Sequence, residues 1–231
     1  MKNYSTIQPV FFYIQMEGVF MKKYEVISSL IASHLVAVLR SSSHLDLYPT
    51  ISALQAGGIK AVEITCTVPN ADEVIKALRE RESELLVGAG TVLDAVTARI
   101  MIMRGASFIV GPSFSPEVAK VCNLYDVPYI PGVATPNEIV NALESGCSLL
   151  KLFPSSSFSP SIIKDFAGPF PQCSFMPTGG ISLNNVGQWI RSGAALVGVG
   201  GELTRGAKEE DYELVKNTAS SFIKEVLKHR S

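Results

Sequence analysis

A lysine and a glutamate stand inside two apolar segments of this 231-residue sequence. Lys151 lies in the run LLKLF, and Glu63 lies in the run AVEI. Charged side chains are rarely buried without a partner or a function, and burial disfavours the ammonium form of lysine. A buried lysine therefore keeps a larger share of its amine in the uncharged, nucleophilic form. This pattern predicts that Lys151 acts as a nucleophile and that Glu63 is its acid/base partner.

The same two residues also allow a purely structural interpretation. Lys151 would then pair with Glu63 as a buried ion pair, or extend its stem past a strand edge to bring the ammonium to solvent. Neither arrangement excludes catalysis, because a carboxylate that orients an amine can also transfer its protons. The sequence alone leaves both interpretations open.

Glycine pairs end two further apolar segments. Gly179 and Gly180 follow PT, and Gly200 and Gly201 end the run GVGG. Backbone N–H groups exposed at such turns can bind a phosphate or a carboxylate. A glycine pair is weak evidence by itself, since tight turns use glycine whether or not an anion binds there.

Short apolar segments alternate with segments of helical periodicity along the chain. The predicted strands are Leu35–Leu39, Ala61–Thr65, Leu85–Ala89, Ser107–Val110, Pro128–Pro131, Ser148–Phe153, Cys173–Pro177 and Ala195–Val199. The predicted helices are Leu47–Ala56, Ala71–Arg81, Ala95–Arg104, Pro116–Tyr125, Pro136–Glu144, Ser159–Phe166, Asn184–Arg191 and Glu209–Lys228. The strands recur about every 20 to 26 residues, which suits repeated strand–helix units.

Eight such units predict an α/β fold, a (β/α)8 TIM barrel that forms a single domain over residues 21–231. The site would then lie where the strands end and the following loops begin. An open six-stranded sheet is the alternative if Ser107–Val110 and Pro128–Pro131 are loops. Residues 1–20 are interpreted as an N-terminal extension or a mis-called start, because Met21-Lys22-Lys23 is a second plausible start.

The composition argues against several classes of protein. Twenty basic and 21 acidic residues give a net charge of −1, which does not favour binding to nucleic acid or anionic lipid. No segment reaches the ~18 to 20 apolar residues of a membrane span, and the first 20 residues make no convincing signal peptide. We therefore predict a cytoplasmic protein with no nucleic-acid or membrane partner.

Cysteine and histidine spacing predicts neither a disulfide framework nor a metal site. No C-x-x-C or H-E-x-x-H pattern occurs. The cysteines are Cys66, Cys122, Cys147 and Cys173, and we interpret them as reduced core residues. The histidines are His34, His44 and His229. We expect no metal and no cofactor.

Five motifs, taken in order along the chain, resemble the 2-keto-3-deoxy-6-phosphogluconate aldolase family, also called the KDPG/KHG aldolases. They are VEIT, VGAGTV, KLFP, PTGGIS and GVGG, and the resemblance extends from about residue 30 to about residue 205. The resemblance implies a class I aldolase, a lyase that acts on a 2-keto acid through a Schiff base. It implies cleavage of a KDPG-like sugar acid phosphate to pyruvate and glyceraldehyde 3-phosphate, with 4-hydroxy-2-oxoglutarate as a second substrate that yields pyruvate and glyoxylate. A homotrimer is common in the family.

On the matching positions, Lys151 would be the Schiff-base lysine and Glu63 the acid/base. The substrate-binding positions would be Thr91, Pro112, Phe153, Thr178, Gly179, Gly180, Gly200 and Gly201. Two positions depart from the pattern: Thr67 stands where some members have arginine, and Gly201 stands where many have serine. These departures leave the preferred sugar acid and aldehyde undetermined.

Two other functions compete with the aldolase. A different phosphate-binding barrel enzyme, such as an epimerase or a synthase, would share the glycine-rich turns. A non-catalytic barrel that binds a keto acid would fit the two departures. Covalent trapping with pyruvate and borohydride separates the three, because only the aldolase forms an imine.

Overall fold

Parallel strands alternate with helices along the part of the chain that the structure describes. The computed structural model describes residues 22–81 and 84–230, so the predicted extension over residues 1–20 lies outside it. The strands are β1 (Leu35–Leu39), β2 (Ala61–Thr65), β3 (Leu86–Gly90), β4 (Ile109–Val110), β5 (Tyr129–Ile130), β6 (Gly132–Val133), β7 (Leu149–Leu152), β8 (Ser174–Pro177) and β9 (Val197–Val199).

The helices largely follow the predicted periodicity. They are α1 (Lys22–Ser33), α2 (Leu47–Ala56), α3 (Ala71–Arg81), α4 (Ala95–Met103), α5 (Pro116–Leu124), α6 (Pro136–Glu144), α7 (Ile162–Ala167), α8 (Val186–Arg191) and α9 (Tyr212–Lys228), with 3-10 turns at Ser155–Ser157 and Arg205–Glu209. Several starts are set by caps: the Asp211 side chain accepts the N–H of Leu214, so α9 begins three residues later than predicted. No helix of the described ranges has both the length and the apolar character of a transmembrane segment.

The strands pair in two parallel sheets. One has the order β5-β4-β3-β2-β1-β9, and the other has the order β6-β7-β8. The two segments that the open-sheet alternative treats as loops form strands β4 and β5 in the larger sheet, so its condition is not met. The chain therefore has a parallel α/β barrel-like fold.

Side chains alternate between two faces along each strand. In β2, Val62 and Ile64 belong to the hydrophobic cluster that includes the helices, while Glu63 points to the other face. In β7, Leu150 and Leu152 belong to that cluster, and Lys151 alternates with them. This alternation turns both charged residues toward the interior of the barrel.

Helix α1, which the sequence analysis did not predict, packs against a second hydrophobic cluster. Its residues Val26 and Leu30 are buried with strand residues that face the interior, such as Val36 of β1 and Phe108 just before β4. Because α1 leads directly into the start of β1, it lies over the N-terminal ends of the strands. The opposite, C-terminal end is left for the site.

Candidate active site

The residues expected at the site all lie at or just beyond the C-terminal ends of the strands. Glu63 lies in β2 and Lys151 in β7, near the end of each strand. The others follow strand ends closely: Thr91 after β3, Pro112 after β4, Phe153 after β7, Thr178 to Gly180 after β8, and Gly200 and Gly201 after β9. Because every strand pair is parallel, these ends share one edge of the fold.

Lys151 and Glu63 meet in the interior. The Nζ of Lys151 lies 3.5 Å from Oε1 of Glu63, and their side chains are 2% and 0% exposed. Strands β2 and β7 are not neighbours in either sheet, so this contact crosses the barrel. Both Glu63 oxygens lack a hydrogen-bond partner in the described structure. A carboxylate this close to the amine can orient it and exchange protons with it, so the geometry fits both an ion pair and proton transfer.

Two glycines of β3 make room in this interior. A Cβ at Gly90 would overlap the carboxylate of Glu63, and a Cβ at Gly88 would overlap the ring of Phe108. Steric space therefore explains both glycines of the VGAG motif. Gly90 leaves room for the carboxylate of Glu63, and Gly88 leaves room for the ring of Phe108.

Phe153 connects the lysine to an open cavity. The Nζ of Lys151 lies 5.1 Å from the centre of the Phe153 ring. The cavity has a volume of about 260 Å³ and is lined by Val38, Arg40, Phe153, Thr178, Gly179, Gly180, Ile181, Gly198, Gly200, Gly201 and Glu202. It thus brings together six of the eight predicted substrate-binding residues, whereas Thr91 and Pro112 do not line it.

The two glycine-rich turns have different local requirements. Gly179 and Gly180 have φ angles of +90° and +79°, a region that L side chains rarely adopt. At Gly198, a Cβ would overlap the side chain of Thr178. A Cβ at Gly201 would meet no atom within 4 Å, so open space surrounds this glycine.

Ser155 holds the ends of β7 and β8 together, a role that the sequence did not indicate. Its hydroxyl donates to the carbonyl of Leu152 at 2.8 Å and accepts the N–H of Thr178 at 2.8 Å. Its own N–H donates to the carbonyl of Thr178 at 2.9 Å. Nothing in the run FPSSSF distinguishes this serine from its neighbours, because only the tertiary fold buries it.

Arg40 and Glu202 are charged lining residues that the sequence analysis missed. Arg40 directly follows the strand LVAVL, so the rule that sites lie at strand ends would have found it. Thr67, which replaces the arginine of some relatives, is exposed, and its hydroxyl lies 2.8 Å from that of Thr65. Arg40, which follows β1, brings a guanidinium to the lining of this cavity.

The cysteines offer no competing nucleophile. Cys66 follows β2 beside the site, and burial raises the pKa of its thiol to about 11, with further increases from the negative charges of Asp94 and Glu63. Burial likewise raises the pKa of Cys122 to about 12 and of Cys147 to about 11. All four cysteines are free, but Cys66 and Cys173 are only partly buried, so the description as core residues holds for Cys122 and Cys147.

Residues 22–81 and 84–230 contain no group of three or more histidine, cysteine, aspartate or glutamate side chains that could hold a metal ion.

The fold and the site define a class: a parallel α/β barrel-like protein that buries an amine beside a carboxylate, next to an open, glycine-rich cavity. Within this class, residues 26–218 match the family model described as KDPG and KHG aldolase. The chain belongs to the KDPG/KHG aldolase family. The family predicted from the motifs, and with it the prediction of an aldolase, is confirmed.

Several individual proteins are similar to this chain. The 2-dehydro-3-deoxy-phosphogluconate aldolase of Pseudomonas aeruginosa is 39% identical over 159 residues, which cover 68% of this chain and 72% of the relative. The 2-dehydro-3-deoxy-6-phosphogalactonate aldolase of Escherichia coli K12 is 33% identical over 192 residues, or 82% and 93% of the two chains. The crystal structure of KDPG aldolase from Legionella pneumophila, with pyruvate captured as a covalent carbinolamine, has a TM-score of 0.80 and 28% identity and covers 85% of this chain and 97% of that chain.

Proposed function

We propose that the protein cleaves a 2-keto-3-deoxy-6-phospho sugar acid to pyruvate and glyceraldehyde 3-phosphate through a Schiff base on Lys151. The observation that carries the proposal is the buried pair of Lys151 and Glu63, whose Nζ and Oε1 atoms are 3.5 Å apart. The relatives named for phosphogluconate and phosphogalactonate aldolases support the substrate class.

Imine formation begins at the keto carbon. The uncharged amine of Lys151 attacks C2, and the carbonyl oxygen takes up a proton to give a carbinolamine. Glu63, directly or through one water, removes a proton from the nitrogen and returns one to the C2 hydroxyl, which leaves as water. The product is an iminium ion, which can accept an electron pair.

Bond cleavage then uses this electron sink. Removal of the C4 hydroxyl proton lets the C3–C4 bond electrons flow to the iminium nitrogen, which leaves an enamine and releases the aldehyde. A proton added at C3 converts the enamine to the pyruvate iminium, and water hydrolyses it to pyruvate and the free lysine. Glu63, which lies beside the amine, can serve these transfers too, since either of its oxygens can accept the proton and return it.

Substrate orientation follows from the cavity. The keto-acid end would lie toward Lys151, beside the Phe153 ring, and we expect Thr91, Pro112 and Thr178 to contact it. The distal phosphate would lie against the N–H groups of Gly179, Gly180, Gly200 and Gly201. The 4-hydroxy-2-oxoglutarate named in the family description would place its second carboxylate there.

The first test is intact-mass analysis after incubation with pyruvate and borohydride, which reduces an imine to a stable adduct. A covalent pyruvyl adduct on the wild type supports the aldolase. No adduct under conditions in which the protein is folded would contradict it and favour the epimerase, synthase or keto-acid-binding alternatives.

Arg40 should contribute to binding of the phosphate. Because a charge-assisted hydrogen bond contributes roughly 1.5–3 kcal/mol, Arg40→Ala should raise KM for the phosphorylated substrate by about tenfold or more. Labelling by pyruvate, which has no distal group, should keep its rate. Steady-state kinetics of Arg40→Ala and of Arg99→Ala, which changes an exposed arginine on α4, would check this; equal KM values for both variants would exclude Arg40 from the site.

We infer that the two sheets form one closed eight-stranded barrel in which β5 and β6 act as a single strand interrupted at Pro131. Two contacts support the closure. The N–H of Lys151 donates to the carbonyl of Pro131 at 2.9 Å, and Thr178 pairs with Gly198 in a parallel bridge between the end of β8 and β9.

The resemblance to the family also supports a homotrimer. Exposed apolar side chains lie along α4 at helical spacing: Val96, Ile100 and Met103 are 70%, 46% and 67% exposed, and Leu93, just before the helix, is 64% exposed. Such a contiguous surface is more typical of an interface than of a solvent-facing helix. We expect light scattering to give three times the chain mass, and a monomeric mass at micromolar concentration would contradict the trimer.

A cytoplasmic location stays a prediction from the sequence.

A further inference from the structure

Glu202 brings a negative charge into the cavity beside Lys151. Of the residues that line the cavity, Arg40 and Glu202 carry formal charges, and these cancel. Glu202 is half-buried, and its Oε1 accepts a hydrogen bond from the N–H of Leu183 at 3.5 Å. Leu183 lies between Gly180 and α8, on the loop that we propose for the phosphate. The Glu202 carboxylate therefore lies beside this loop, although Leu183 is not one of the four glycines that we propose for the phosphate.

A carboxylate in this cavity makes binding of a phosphate dianion less favourable. Carboxylate and phosphate oxygens are both acceptors, so they cannot hydrogen-bond to each other and repel at short range. A hydroxyl group, in contrast, can donate to the carboxylate. Gly201 adds no side chain that would separate Glu202 from a bound group, since the space around it is open.

We propose that Glu202 is a specificity-determining residue: it weakens binding of a phosphorylated distal end and accepts a hydrogen bond from a free distal hydroxyl. The substrate range of the site would then include unphosphorylated 2-keto-3-deoxy sugar acids. The inference rests on the proposed function, because it assumes that the keto-acid end reacts at Lys151 and that the distal end lies in this cavity.

The test compares kcat/KM for the same 2-keto-3-deoxy sugar acid with and without its terminal phosphate. Removing a like charge several ångströms from the phosphate should raise kcat/KM for the phosphorylated acid about tenfold in Glu202→Gln and lower it for the hydroxyl form. Glu202→Ala should show the same gain for the phosphorylated acid, so one poorly folded variant does not decide the result. Glu144→Gln removes an exposed charge on α6 and should change neither value.

Pyruvate labelling separates this inference from the function on which it rests. Because pyruvate has no distal group, wild type and both Glu202 variants should form the borohydride-reduced adduct at the same rate. Normal labelling with an unchanged preference between the two acids would overturn the role of Glu202 alone. Failure of the wild type to label would overturn the proposed function instead.

Discussion

Replacing Lys151 with alanine should abolish both the pyruvate adduct and cleavage of the sugar acid. No step of the Schiff-base mechanism proceeds without this amine, and the other lysines of the described chain are exposed or only partly buried. Loss of a covalent nucleophile typically lowers kcat by several orders of magnitude, so we expect a decrease of at least about a thousandfold. Intact-mass analysis with borohydride and steady-state kinetics would measure the two effects.

Two further variants control this experiment. Lys120→Ala removes an exposed lysine from α5 and should keep full labelling and turnover. Lys151→Met removes the charge but retains most of the side-chain volume, which limits the cavity left in the core. Both Lys151 variants leave Glu63 buried without its partner, so thermal unfolding should be recorded beside activity. Retained labelling in a folded Lys151 variant would show that the imine forms elsewhere.

Glu63→Gln should slow turnover by roughly a hundred to ten thousandfold, the usual contribution of a general acid or base. The amide has nearly the same shape as the carboxylate, but it cannot take up and return a proton at neutral pH. Both the rate of pyruvate labelling and kcat should fall, because proton transfers occur in imine formation and in cleavage. Normal rates in this variant, equal to those of Glu144→Gln, would contradict its role.

A structural role for Glu63 predicts a different result. If the carboxylate only positioned Lys151, Glu63→Asp would act mainly through geometry, and Glu63→Gln, which keeps the length of the side chain, would be the milder change. If Glu63 transfers protons, Glu63→Asp should retain more activity than Glu63→Gln, since only aspartate keeps an ionisable group. The order of the two kcat values therefore distinguishes the interpretations.

The sequence predicted the repeating strand–helix order because that order depends on local periodicity. Strands β1 and β2 and helices α2, α3 and α6 have the predicted boundaries, since their apolar spacing is regular. Lys151 and Glu63 were also recognisable from the sequence, because each interrupts an apolar run. The strands β4, β5 and β6 are only two residues long, and such short elements carry little periodic signal.

Contacts between distant segments were decided by the tertiary structure. Strand pairing and the crossing of the barrel interior bring Lys151 within 3.5 Å of Glu63, and no local pattern measures that distance. The burial of Ser155, the packing of α1 and the placing of Arg40 and Glu202 in one cavity likewise depend on which elements become neighbours. Residue type and spacing determined what chemistry this chain can perform. Which side chains share a cavity was decided by long-range packing, because side chains from separate strands meet only after the sheet has curled.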